Sequence, residues 1–202
     1  DRSGSMSGEK LVEARKAAIM AIDRLTDDDI VSVVTYDDTV QVLAAAGRIG
    51  DAYGLRARIE AVEPGGSTAL FAGVSKGAHE ARKYFARDRV NRVILLSDGL
   101  ANVGPDSPGE LAELGATLAR EGIAVTTIGL GLDYNEELMT RLAASSDGNH
   151  FFAERAADLA AAYAAELGEI LSVLAQDVDV TIRFADGVRP VRVLGREAEI
   201  RG

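Results

Sequence analysis

The stretch VNRVILLSDG at residues 90–99 decides the fold. From 90 to 96 it is apolar apart from Asn91 and Arg92, and it is ended sharply by Ser97, Asp98 and Gly99. A short continuous apolar run closed by turn residues is the pattern of a strand buried on both faces of a parallel sheet. Working outward toward the N-terminus, residues 30–36 form a second strand rich in β-branched residues, preceded by the breaker Thr26, Asp27, Asp28 and Asp29. Leu11, Ala14, Ala18, Ile19, Ile22 and Leu25 recur at helical spacing, which predicts a helix from about Ser7 to Leu25, with Ser7 and Lys10 in its cap region. Asp37 and Asp38 mark a turn into an alternating segment at 39–43, hence a short antiparallel hairpin at one sheet edge. Helices are predicted over 51–62 and 69–85, on either side of the Pro64, Gly65 and Gly66 loop.

Toward the C-terminus, Gly104, Pro105 and Pro108 break the chain before a helix reaching about Arg120. A strand at 123–128, a helix at 135–144, a strand at 149–153 and an alanine-rich helix at 156–174 complete the alternation. Strand and helix in strict succession require right-handed crossovers, so the expected architecture is α/β: a doubly wound, mostly parallel sheet flanked by helices on both faces. Residues 1–175 make up this domain. Beyond it Val178, Val180, Ile182 and Phe184 alternate at period two, and Asp186 and Gly187 form a turn. Residues 176–202 therefore read as a β-hairpin, the start of an accessory β element with more protein expected past Gly202.

A formal net charge of −10 argues against a phosphate-neutralising nucleic-acid surface or an anionic membrane surface. The absence of cysteine removes disulfides, thiolate metal sites and cysteine nucleophiles. Two histidines, His79 and His150, lie on separate elements, so an imidazole metal site is not expected. No apolar run approaches the roughly 18 residues of a membrane span, because Glu166 and Glu169 interrupt the most apolar helix. Nothing in the chain reads out its compartment.

Ligands of open parallel sheets bind beyond the carboxyl ends of the strands. Three segments fall there: Asp1, Ser3 and Ser5 before the first helix, Thr68 before the third, and Asp98 after the central strand. Alternate residues of an extended turn point the same way, Gly4 permits a tight path, and Gly65, Gly66 and Gly99 allow close backbone approach. The set brings only oxygen donors, two of them carboxylates. That chemistry suits a hard divalent cation, Mg2+ or Mn2+ ahead of Ca2+.

On these residues, the Asp1-Arg2-Ser3-Gly4-Ser5 motif, Thr68 after a glycine pair, and Asp98-Gly99 after an apolar strand, the chain resembles the von Willebrand factor A domain, and its composition resembles bacterial members of that family. The resemblance implies a Rossmann-like sheet and a metal-ion-dependent adhesion site formed by Asp1, Ser3, Ser5, Thr68 and Asp98. It further implies that a partner's Asp or Glu carboxylate completes the ion's shell. It also implies a central strand immediately upstream of Asp1, which this sequence does not include.

The function expected is thus a non-enzymatic protein-binding module. The alternatives are a Mg2+-dependent hydrolase, which lacks an evident general base in the three site loops, and an assembly factor docking on an ATPase complex. Rival motifs lack their context. Asp177, Asp179 and Thr181 match the D-x-D-x-T pattern of haloacid-dehalogenase phosphatases but open a hairpin rather than follow a buried strand. Ser7 and Lys10 match S-x-x-K without its partner motifs, and the Gly65-Gly66-Ser67-Thr68 turn lacks the lysine of a phosphate loop.

Overall fold

The computed structural model describes residues 1–51, 54–172, 182–185, 187–188 and 191. Its elements follow the expected alternation: α1 (Glu9–Ile22), β1 (Ile30–Tyr36), β2 (Val40–Arg48), α2 (Leu55–Glu60), α3 (Leu70–Arg82), β3 (Arg92–Ser97), α4 (Pro108–Arg120), β4 (Ala124–Leu130), α5 (Glu136–Ser145), β5 (His150–Ala153) and α6 (Leu159–Leu171). Local chemistry fixes several of the boundaries. Ser107 and Glu110 form a reciprocal capping box ahead of α4, with Pro108 in its first turn, and the Asn135 side chain caps α5 by accepting from the Leu138 N–H.

Several boundaries differ from the sequence reading: β2 runs on to Arg48, α3 stops at Arg82 and α6 spans Leu159–Leu171. The first helix ends at Ile22, and Arg24 and Leu25 continue only as tight turns onto the Ala21 and Ile22 carbonyls. Ser7 does not cap it; Gly8 occupies that position, and the Ser7 hydroxyl donates back to the Gly4 carbonyl at 2.7 Å. The second helix shrinks to Leu55–Glu60 because Gly54, at φ 73°, takes a left-handed turn that no continuing helix tolerates. The hairpin expected over 176–202, and with it Asp177, Asp179 and Thr181, lies largely outside the described residues.

β3, β4 and β5 form a parallel ladder with Arg92 opposite Ala124 and Thr127 opposite His150, while β1 and β2 pair antiparallel from Ile30–Arg48 to Tyr36–Val40. Alternate residues of the parallel strands feed two separate cores, as the pleat requires. Leu95 and Val125 join Leu70, Val74, Leu111, Leu118 and Leu142 from α3, α4 and α5 on one face. Leu96, Ile128 and Leu130 join Leu11, Ala14, Ala17 and Leu159 from α1 and α6 on the other. Helices thus cover both faces, as a doubly wound sheet demands.

The two ladders are not hydrogen-bonded to each other among the described residues. Their facing edges, β1 and β3, border a slot of about 680 Å³ that is lined along its length by residues 30–36 and 90–96 and covered by Val74 of α3 and Tyr163 and Leu167 of α6. At the slot's upper end the Tyr36 hydroxyl donates to the Leu96 carbonyl at 2.8 Å, and its ring fills the space that a side chain at Gly73 would need. Near the lower end Arg92 donates to the fully buried Glu166 at 2.6 Å, and Glu166 also accepts from Thr126 at 2.7 Å and Asn149 at 2.9 Å. This cluster fastens α6 to β3 and β4. Truncating one side of a buried, hydrogen-bonded ion pair leaves its partner uncompensated, so Glu166→Ala is expected to cost about 3–5 kcal/mol, read as a lowered urea midpoint. A midpoint shift equivalent to less than about 1 kcal/mol would refute that role for Glu166.

Candidate metal centre

The chain reaches the carboxyl ends of β1 and β3 at its first residues, where the Arg2 N–H donates to the Tyr36 carbonyl at 2.8 Å. Asp1 then folds over its own chain: one carboxylate oxygen accepts from the Ser3 N–H at 2.8 Å, the other from the Ser97 hydroxyl at 2.7 Å. A single 3-10 turn, Gly4–Met6, brings Ser5 back over Ser3, so their hydroxyl oxygens lie 3.0 Å apart. The Ser5 hydroxyl donates to Asp98 Oδ1 at 2.6 Å. Arg2, between Asp1 and Ser3 in the chain, pairs instead with Asp37 at 2.7 Å.

The Thr68 loop is locked to both neighbours. The Gly65 N–H donates to the Arg2 carbonyl at 2.9 Å and the Gly4 N–H to the Gly66 carbonyl at 3.0 Å. Gly66 sits at φ 67° against Asp37 and Asp38, where any side chain would overlap them. On the other side the Thr68 N–H donates to the Asn102 side chain at 2.8 Å, and the Asn102 N–H returns to the Thr68 carbonyl at 3.1 Å. Of the residues singled out from sequence, Ser3, Ser5 and Asp98 are linked directly through their side-chain oxygens and Asp1 is held to the same strand end through Ser97, while the loop that carries Thr68 is tied alongside through Gly4 and Gly66. Ser3, Thr68 and Asp98 are buried, Asp1 is half-buried, and Ser5 is exposed.

Three participants were not singled out as site residues in the sequence. Ser97 steadies Asp1, and Asn102 steadies Thr68. Lys10 reaches in from the first turn of α1, its ammonium 2.5 Å from Asp98 Oδ2. The three site loops themselves carry no lysine, but the adjoining helix supplies one. Helical side chains lean toward the helix N-terminus, which lets a first-turn lysine reach the loop ahead of its helix, but nothing along the chain marks Asp98, 88 positions away, as its partner. Ser7 and Lys10 make no S-x-x-K pair, since each is engaged elsewhere.

The donor set fits a hard cation. Mg–O bonds of about 2.1 Å place neighbouring oxygens of an octahedron roughly 3 Å apart, and the Ser3–Ser5 and Ser5–Asp98 separations of 3.0 and 2.6 Å fall around that spacing. Among the described residues no cluster of three or more His, Cys, Asp or Glu side chains offers a competing metal site. His79 is exposed on α3, while His150 on β5 bonds Thr127 at 2.8 Å and Tyr134 at 3.2 Å, and its burial holds its pKa below the ordinary value.

The von Willebrand factor type A domain profile matches residues 1–165. The chain belongs to that family. YfbK of Escherichia coli (strain K12) is 28% identical over 186 residues, covering 91% of this chain and 32% of its own length. The Synechocystis sp. (strain ATCC 27184 / PCC 6803 / Kazusa) protein sll0103 is 31% identical over 154 residues, covering 76% and 36%. This A domain thus spans about a third of these bacterial relatives. Among solved structures, a von Willebrand factor type A protein from Catenulispora acidiphila superposes with a TM-score of 0.75 at 21% identity, over 85% of this chain and 41% of that one. Proximal thread matrix protein 1 from the mussel byssus, in a form with a zinc-occupied metal-ion-dependent adhesion site, gives 0.61 at 23% identity, over 83% and 43%. Domains of this family commonly bind a divalent metal at that site and generally serve in protein–protein interactions.

Asp37 supports the site from behind. Burial raises its pKa, but bonds from the Thr39 N–H at 2.8 Å and hydroxyl at 2.7 Å, together with the Arg2 guanidinium, outweigh that and hold it below its ordinary 3.8. A carboxylate held below its unfolded value stabilises the fold above that value and loses its contribution as the pH falls through the folded one. Asp37→Asn is therefore expected to be less stable than the unmutated protein at pH 6, with the gap closing below about pH 3.8. Parallel urea titrations at the two pH values measure it, and a gap that persists unchanged in acid contradicts the assignment.

Proposed function

We propose that this A domain is a protein-binding module in which one divalent cation, Mg2+ or Mn2+ ahead of Ca2+, is held by Asp1, Ser3, Ser5, Thr68 and Asp98 and captures an Asp or Glu carboxylate of a partner protein. The observation that supports this reading is the run of side-chain oxygens in which Ser5 links Ser3 to Asp98, with the Thr68 loop tied alongside through Gly4 and Gly66. When bound, the ion supplies Lewis acidity toward an anionic oxygen. The chain's own part is to hold hydroxyls and carboxylates in fixed positions. A hydrolytic reading needs a free base beside the ion; Lys10 is ion-paired to Asp98, and Glu63, the acid preceding the glycine loop, is exposed. The protein is thus read as non-enzymatic. Among the described residues no helix is long and apolar enough to cross a membrane. Calorimetric titration with Mn2+ is expected to show one site, with affinity at least roughly tenfold lower in Asp98→Ala and in the Ser3→Ala, Ser5→Ala double variant. Equal affinity in all three proteins would sink the proposal.

The slot between β1 and β3 supports a second structural reading: an extended segment leading into Asp1 would run between the two strands and join both ladders into one sheet. Its walls are strand edges on two sides and apolar side chains from α3 and α6 on the others. Its upper end is where Asp1 and Arg2 already bond to Ser97 and Tyr36. In a chain extended ahead of Asp1 by an apolar, strand-forming segment, a cysteine placed at Val33 is expected to react with a thiol reagent at least about tenfold more slowly than in residues 1–202 alone, because a paired, covered edge opens only by local unfolding. Equal labelling rates would mean that the slot stays empty.

A further inference from the structure

Both oxygens of Asp98 are engaged, and by different kinds of group. Oδ1 accepts from the Ser5 hydroxyl at 2.6 Å and Oδ2 from the Lys10 ammonium at 2.5 Å. The Asp98 side chain is fully buried and that of Lys10 only 34% exposed. The ammonium ends beneath the turn after β4, where a Cβ added at Gly131 would stand 4.0 Å from it. A lysine so placed cannot ligate a cation, because an ammonium has no lone pair to give. It is a fixed positive charge on the far side of one carboxylate.

We propose that Lys10 sets the charge of the metal centre, weakening its hold on a divalent cation and leaving the loaded site with one net positive charge that selects a carboxylate as the remaining ligand. The inference rests on the reading of the five oxygen donors as a cation site. Two carboxylates alone neutralise a divalent ion, and a neutral centre attracts water nearly as well as it attracts an anion. With the ammonium added, the centre is cationic and partly shielded from solvent, so an anionic ligand gains Coulomb energy that water does not. The same charge repels the incoming metal. Lys10 therefore acts in opposite directions on the two ligands, a signature that a merely structural lysine would not give.

The probes are Mn2+ for the metal and acetate for the carboxylate. Lys10→Met removes the charge and keeps the stem, Lys10→Gln keeps a hydrogen-bond donor without the charge, and Lys10→Arg keeps the charge. Both neutral variants are expected to bind Mn2+ roughly tenfold more tightly by calorimetry and to hold acetate on the Mn2+-loaded protein roughly fivefold more weakly by water-proton relaxation. Lys10→Arg is expected within about twofold of the unmutated protein in both measurements. The difference in Mn2+ affinity should narrow in about 1 M KCl, where the screening length falls to roughly 3 Å. If a neutral variant that melts cooperatively shows unchanged or weaker Mn2+ binding, or unchanged or tighter acetate binding, the role of Lys10 is overturned. The cation site itself still stands in that case if Asp98→Ala loses Mn2+. Should one neutral variant fail to fold, the other decides. No Mn2+ binding by the unmutated protein would remove the site and the role of Lys10 together.

Discussion

A buried carboxylate must be compensated, and the compensation of Asp98 organises the upper end of this domain. Its side chain is fully buried, with Ser5 on one oxygen and Lys10 on the other. Leaving either oxygen without a partner carries the desolvation cost of a buried charge. The chain between Asp1 and Lys10 is thereby pinned at two points to the end of β3. The remaining loop contacts lie around these: Ser97 to Asp1, Gly4 to Gly66, and Thr68 to Asn102. Apart from Ser97 at the end of β3 and the single 3-10 turn at Gly4–Met6, these segments are irregular, and each is placed by polar bonds to the other two. A site assembled in this way is held in position before any ligand arrives, which is what low-cost binding requires.

Below that point the domain is joined differently. β1 and β3 do not pair, and the slot between them is spanned at its upper end by the Tyr36–Leu96 bond. Elsewhere the two ladders are held through the helices that cover them. α3 packs against Tyr36 on one side and Leu95 on the other, and α6 is fastened to β3 through Arg92 and Glu166. The Tyr36 hydroxyl is surrounded by buried atoms, which push its pKa well up and keep it a neutral donor. The strand ends that carry the site are thus fixed relative to one another even though the strands are not neighbours in a ladder.

The sequence made the repeating features legible and left the singular ones hidden. Strand and helix alternation over residues 30–153 is a matter of periodicity, and each element appears where its apolar pattern placed it, within a few residues. The five candidate donors could be named because glycine spacing and position at strand ends can be read along the chain. Lys10 could not, because its partner lies 88 positions away and the pair exists only once α1 is docked beside β3. The same holds for Glu166, read as an interruption of an apolar helix, and for Arg92, read as an irregularity in an apolar strand; they are each other's buried partners, 74 positions apart. The second helix is shorter than its apolar pattern suggests because Gly54 takes a left-handed backbone that ends any continuation toward residue 51.

The charge of the whole chain and the charge proposed for the cation-loaded site point in opposite directions, and distance reconciles them. A net −10 repels an acidic partner at long range. At physiological ionic strength that repulsion decays over about 8 Å. A divalent cation held as proposed, beside two carboxylates and one ammonium, would act within that distance, where an acidic side chain would meet local positive charge rather than the average of the surface. Attraction confined to contact distance makes recognition depend on presenting one carboxylate at one point, and the rest of an acidic partner gains nothing from the field. On the proposed reading, an acidic domain would in this way be selective for an acidic side chain without binding cationic surfaces through the same point.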